Sequence, residues 1–312
     1  MRNLSVIDQF FASPLQMDSE ALKTFVTIHR AGGFSAAADK LNRSQPAISR
    51  RIALLEAELG APVFERVVGG VVLSQAGQVL LPYAERVLAA LQDASKAVDA
   101  LRFGQAGSLS IAVVGTLAGA ALTSVLQRFA ARFPKIELSL RTATSDEVSD
   151  LVRRGEVTIG LRYFDDPAPD LVCQPLPAEA LMVVCGSTHE LAGTAVQSLR
   201  DLRAQHWLAF PRDHERREAS AETIFAQFLI RDVPDIRWTP VDSLTAQKRL
   251  IEAGFGIALL PESGVVEERS AKTLATITVG DLDVAIPVTA IVRKNGYLSA
   301  ASIGLLQLLT SK

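Results

Sequence analysis

Apolar residues recur at helical spacing in the first third of the chain and in short β-branched runs thereafter, and this change of period divides the sequence. Leu22, Phe25, Val26 and Ile28 give a first helix one apolar face, which Gly32-Gly33 ends. Ser35 is placed to cap a second helix running to Leu41. Ser44-Gln45-Pro46 opens a third, in which Ile48, Ile52, Leu55 and Leu59 fall three to four apart on the side expected to be buried. Two β-runs around Gly69-Gly70 then predict a hairpin, a wing beside the helices. Ser74 reads as a further N-cap, and Leu80, Tyr83, Val87, Leu91, Ala94, Val98 and Leu101 predict a helix over 77–103 with Pro82 in an early turn. Such a helix is about 38 Å long. It is too one-sided to bury itself, so its expected partner is its own copy.

Beyond Phe103 to Gly107 the period shortens. Leu109–Val114, Ile136–Leu140 and Thr158–Leu161 read as strands, separated by helices over Ala118–Phe133 and Asp146–Arg154, an order that predicts a parallel sheet covered by helices. Leu181–Cys185, Trp207–Phe210, helices over Ala219–Leu229 and Leu244–Ala253, and Ile257–Leu260 predict a second α/β lobe. The strand Pro287–Val292 and the helix Ser299–Leu309 return to the first. The expected class is therefore multidomain, α+β and α/β. It comprises an N-terminal extension 1–16 read as disordered, a winged helix-turn-helix over 17–76, a linker helix over 77–103 and a two-lobed domain over 107–312. Lobe I takes about 107–180 and 280–312, and lobe II about 181–279. A start at Met17 rather than Met1 stays open.

Charge adds a local signal that the total hides. The formal net charge is only -2, yet Lys40, Arg43, Arg50 and Arg51 lie in a stretch without an acidic residue. Gln45, Ser49 and Arg50 face outward near the start of the third helix, where such side chains can hydrogen-bond base edges in a major groove. Two cysteines make no disulfide framework, and no apolar run approaches the roughly 20 residues of a spanning helix. A soluble, cytoplasmic protein without membrane association is expected. The four histidines show no metal spacing, and no nucleophile elbow, P-loop or dinucleotide fingerprint occurs, so neither enzyme, metal nor cofactor is expected.

The run Phe34-Ser35-Ala36-Ala37-Ala38 to Ser44-Gln45-Pro46-Ala47-Ile48-Ser49-Arg50, then Leu55-Glu56, Leu59-Gly60, Phe64-Glu65-Arg66 and Leu73-Ser74-Gln75-Ala76-Gly77, resembles the LysR-type transcriptional regulators. That resemblance implies a winged helix-turn-helix joined to a sensor of the type 2 periplasmic-binding-protein-like fold. It places Gln45, Pro46, Ser49 and Arg50 against bases and Arg66 at the DNA backbone, with Ser35, Ser44 and Arg51 completing the DNA-facing set and Arg51 assigned to phosphate. It also implies self-association as a dimer or tetramer on a dyad-symmetric promoter site of double-stranded DNA, and RNA polymerase as a further partner. Val67 to Val72 departs from the family in lacking basic wing residues.

In the sensor half, Thr116 and the pair Thr144-Ser145 follow successive parallel strands, where ligands gather in open α/β sheets. The resemblance points to those positions, and to Phe210-Pro211-Arg212, as the site of a small effector, often a carboxylate. Arg162 and the group Arg212, Arg216 and Arg217 suggest two cationic rims, hence an anionic effector, with Phe210 as an apolar wall. Thr158 stands where the family commonly has Asp. Two alternatives remain: a redox-sensing regulator acting through Cys173 and Cys185, and a solute-binding protein.

Overall fold

A computed structural model describes residues 17–103, 106–211 and 219–311. The extension 1–16 and Arg212, Arg216 and Arg217 lie outside the described residues. The chain divides into two compact units at Gln92 and Asp93, inside a helix.

In the first unit, α1 (Ser19–Ala31) begins at Asp18, whose carboxylate accepts from the Ala21 amide at 2.6 Å, and ends at Gly32 with φ of 73°. α2 (Phe34–Leu41) and α3 (Gln45–Leu59) complete a trihelical core of Phe25, Ile28, Ala37, Ile48, Ile52 and Leu55. Ser35 does not cap α2: Gly33 holds that position without a side-chain bond, because Phe34 is drawn into the helix by packing edge-on against Phe64 at 5.8 Å. Leu59 is likewise exposed rather than buried. β1 (Phe64–Val67) pairs antiparallel with β2 (Gly70–Leu73) across a turn in which Gly69 takes φ of 94°.

α4 (Gln75–Phe103) starts where expected for a cap at Ser74, whose hydroxyl accepts from the Gly77 amide at 3.0 Å and donates to the Pro62 carbonyl at 2.5 Å. A Cβ on Gly77 would overlap the Val63 carbonyl, so only glycine lets this first turn lie against the hairpin's root. Leu80 and Ala84 pack into the helical core. The outward stripe is instead Val79, Tyr83, Val87, Leu91, Val98 and Leu101. No helix among the described residues is long and apolar enough to cross a membrane.

The second unit is built on one sheet path, β4-β3-β5-β12-β6-β11-β7, in which β7 is the two-residue strand Ala195–Val196. β3 (Gly107–Val114), β4 (Ile136–Ala143) and β5 (Ile159–Tyr163) run parallel, with α5 (Ala120–Arg132) and α6 (Ser145–Arg153) as crossovers. Alternation along β3 sends Leu109, Ile111 and Val113 towards α5 and α10 (Ala300–Thr310), and Ala112 and Val114 towards α6. β12 (Ala285–Arg293) closes this half antiparallel to β5.

β6 (Leu171–Gly186) is far longer than the expected Leu181–Cys185 strand. Its first part pairs with β12, and its end, from Leu181, pairs with β10 (Ala258–Pro261) and β11 (Leu274–Val279) of the second lobe. The apolar period is hidden there by Pro175, Pro177 and Glu179, and the register shifts opposite Pro287, where prolines cannot donate to a ladder. The second lobe adds α8 (Leu244–Glu252) and two parallel strands, β8 (His206–Ala209) and β9 (Arg237–Pro240).

Candidate functional site

Ser44 occupies the N-cap position of α3 in extended conformation, but its hydroxyl makes no capping bond. One turn on, Gln45 Nε2 donates to Ser49 Oγ at 2.9 Å, which orders two of the candidate base-reading groups on a solvent-facing surface. Pro46 and Arg50 are exposed beside them, as are Lys40 and Arg43. Arg51 faces Glu20 at 3.6 Å with both side chains substantially exposed, a pair weak enough for another anion to displace. Ser35 is exposed in the first turn of α2, and Arg66 on β1. At the hairpin tip Val68 is fully exposed.

The second unit holds a cavity of about 660 Å³ at the carboxyl ends of β3 and β4. It brings together Thr116, Thr144 and Phe210, three of the residues expected there, with Ser243, Thr245 and Ser263 from the other lobe. Thr116 lies in a short 3-10 turn ahead of α5, its hydroxyl held by Tyr163 Oη at 2.7 Å. Thr144 caps α6 in a reciprocal box: Glu147 accepts from the Thr144 amide at 2.8 Å and from its hydroxyl at 3.0 Å. Ser243 caps α8 without a reciprocal bond, its hydroxyl accepting from the Ala246 amide at 3.4 Å. Three helix starts, those of α5, α6 and α8, therefore line one cavity. The second-lobe serines and threonine were missed from sequence, although Ser243 before an apolar helix carries the same cap signal as Thr144.

Two expected residues stand elsewhere. Ser145 does not line the cavity; it is buried behind Thr144, its hydroxyl without a partner among the described residues. Arg162 is no rim cation. Its side chain is only 7% exposed, and it is consumed by Asp166 at 2.7 Å, Ser149 at 2.5 Å and Asp146 at 3.6 Å, because its place on β5 turns it under α6. Among the described lining residues the one ammonium, Lys248, is paired with buried Glu268 at 2.8 Å, while Asp242, Glu147 and Glu267 supply carboxylates. The described walls thus carry no cationic rim.

Cys173 and Cys185 both lie on β6, twelve residues apart. At about 3.3 Å per residue they stand roughly 40 Å apart, beyond the reach of a disulfide within the chain. Burial pushes the Cys185 thiol up to about 11, away from the reactive thiolate. The strand that carries both cysteines excludes a bond between them within the chain.

The sequence profile described as "LysR substrate binding domain" matches residues 103–312, and that described as "Bacterial regulatory helix-turn-helix protein, lysR family" matches 19–78. The chain is 29% identical over 278 residues to the HTH-type transcriptional regulator BbuR of Bordetella bronchiseptica, covering 89% of this chain and 84% of that one. The solved structure of CbnR, a LysR family transcriptional regulator, superposes with a TM-score of 0.65 at 26% identity, covering 95% of this chain and all of the other. Full-length CbnR complexed with its target DNA gives a TM-score of 0.64 at 27% identity, covering 94% and 99%.

Proposed function

The chain belongs to the LysR family, DNA-binding transcriptional regulators with an effector-binding domain, and from that premise we propose that a small anionic effector in the cavity controls a self-associated form bound to dyad-symmetric promoter DNA. Gln45, Pro46, Ser49 and Arg50 read bases, and Ser35, Ser44, Arg51 and Arg66 hold the DNA backbone. The site of action is the cytoplasm, with RNA polymerase as a further contact.

The observation that carries the effector's sign is the convergence of three helix starts on one cavity. Each contributes about half a positive charge through its free amides, which favours a carboxylate. Glu147, which accepts from the Thr144 amide and hydroxyl, keeps its charge, as do Asp242 and Glu267, so the effector's carboxylate sits at the helix starts and away from these three groups. Thr116 supplies a hydroxyl and Phe210 an apolar wall. Titrating the full-length protein with small carboxylic acids should raise its melting temperature by about 5 °C or more at a hundredfold excess over Kd. A rise with matched amines, and none with acids, rejects an anionic effector.

Self-association follows from the stripe Val79, Tyr83, Val87 and Leu91 on α4, spaced at four and exposed by 46–63%. Burying it against a second copy removes apolar surface from water, worth about 25 cal/mol per Å². Leu91→Asp is expected to convert the assembly to monomer at micromolar concentration in sedimentation velocity. An unchanged sedimentation coefficient places the interface elsewhere.

A further inference from the structure

A second cavity, of about 620 Å³, lies at the amino ends of β3, β4 and β5, the end of the sheet opposite the effector cavity. One wall is the last part of α4, which carries Lys96 and Asp99; another is the start of α10. The α4 wall is anchored. Asp93 accepts from Arg293 Nη2 at 2.7 and 2.9 Å and from the Tyr297 amide at 3.1 Å, and Tyr297 itself lines the cavity. Phe133 and Ile136 supply an apolar surface, and Glu137 a second carboxylate.

The charges lining this cavity are unmatched, in contrast to four arginines of the same lobe. Arg141, Arg153, Arg154 and Arg162 are each engaged with a carboxylate. Among the described residues Lys96, Asp99 and Glu137 make no ion pair or side-chain hydrogen bond, although Lys96 and Asp99 stand three apart on one helix, where such pairs form readily. A half-buried ammonium, two carboxylates and an apolar wall therefore face one space of a size usual for small-molecule sites.

We propose that this cavity binds a zwitterion with an apolar side chain, an α-amino acid of the leucine or phenylalanine kind. Its carboxylate meets Lys96 and the first turn of α10, its ammonium meets Asp99 and Glu137, and its side chain covers Phe133 and Ile136. A simple acid would set its charge against two carboxylates, and a simple amine against Lys96. The bound molecule touches α4 and α10 together and reinforces the junction held by Asp93.

The test is calorimetric titration of the full-length protein with L-leucine and L-phenylalanine, beside 3-phenylpropionate and phenethylamine. At least one amino acid should bind saturably, and Lys96→Met and Asp99→Asn should each weaken it by about tenfold, the loss of one charge-assisted hydrogen bond. Thr245→Ala, in the effector cavity, should leave this binding unchanged. Four results overturn the proposal: no saturable binding of either amino acid, binding that survives both charge substitutions, equally tight binding of the acid or the amine, or weakening by Thr245→Ala.

Discussion

Arg50→Ala is expected to lower affinity for the specific operator by between about thirtyfold and ten-thousandfold, while leaving affinity for scrambled DNA nearly unchanged. A bidentate guanidinium–base contact contributes about 1–3 kcal/mol of discrimination, and a dimer makes it in each half-site. Arg50 is exposed on α3, one residue beyond Ser49, and no carboxylate holds it among the described residues. The substitution therefore acts on DNA rather than on folding. Arg51→Ala should behave differently, weakening all sequences and reducing the salt dependence by about one phosphate contact per subunit. The measurement is a pair of binding isotherms, operator against scrambled duplex, at several fixed salt concentrations. If Arg50→Ala preserves the ratio between the two duplexes, Arg50 does not read a base.

The second large effect concerns stability. Asp166 is 8% exposed and bridges two arginines, Arg153 at 2.7 Å and Arg162 at 2.7 Å, while its Oδ1 also accepts from the Ala168 amide at 2.9 Å. Removing one partner of a buried ionic cluster costs about 3–5 kcal/mol, because the remaining charge stays out of water. Asp166→Ala should accordingly lower the urea midpoint of the second unit by about 1 M or more. Asp150→Ala, which touches the same Arg153 from an exposed position, should shift it little.

The pH dependence has a definite sign. Burial raises the Asp166 pKa, but hydrogen bonds from Ser149 and Ala168 and the charges of Arg153 and Arg162 outweigh it, so the group sits below the ordinary carboxylate value. A depressed folded-state pKa stabilises the fold fully above the unfolded value of about 4, and the contribution fades as pH falls through the folded value. The stability gap between the unsubstituted protein and Asp166→Asn should therefore be constant near neutrality and shrink in acid. A gap that widens below pH 4 contradicts the assignment.

Much of the DNA-reading half was legible because its determinants are local. The cap at Ser74, the spacing of Ile48, Ile52 and Leu55, and the glycine turn at Gly69 each act within a few residues, and the structure places these as expected. The failures share a cause. Ser35 and Leu80 were misassigned because the deciding contacts come from Phe64 and from the helical core, which are remote in sequence. β6 was read as a fragment because its first half owes its strand geometry to pairing with β12, not to its own apolar period.

The sequence by itself determined the recognition helix, the hairpin and the alternation of strands and helices that makes two lobes. Periodicity and caps are properties of neighbouring residues, so they survive without knowledge of the fold. Only the tertiary structure decided what the charges do. Arg162 has the same formula on a rim or beneath a helix, and it was the stacking of α6 on β5 that set it against Asp166 and Ser149. The meeting of the two lobes gathered three helix starts around one cavity, and the pairing of β6 with β12, β10 and β11 left the two cysteines near opposite ends of a single strand. Electrostatics depends on distance through space, and distance through space is what a chain acquires only on folding.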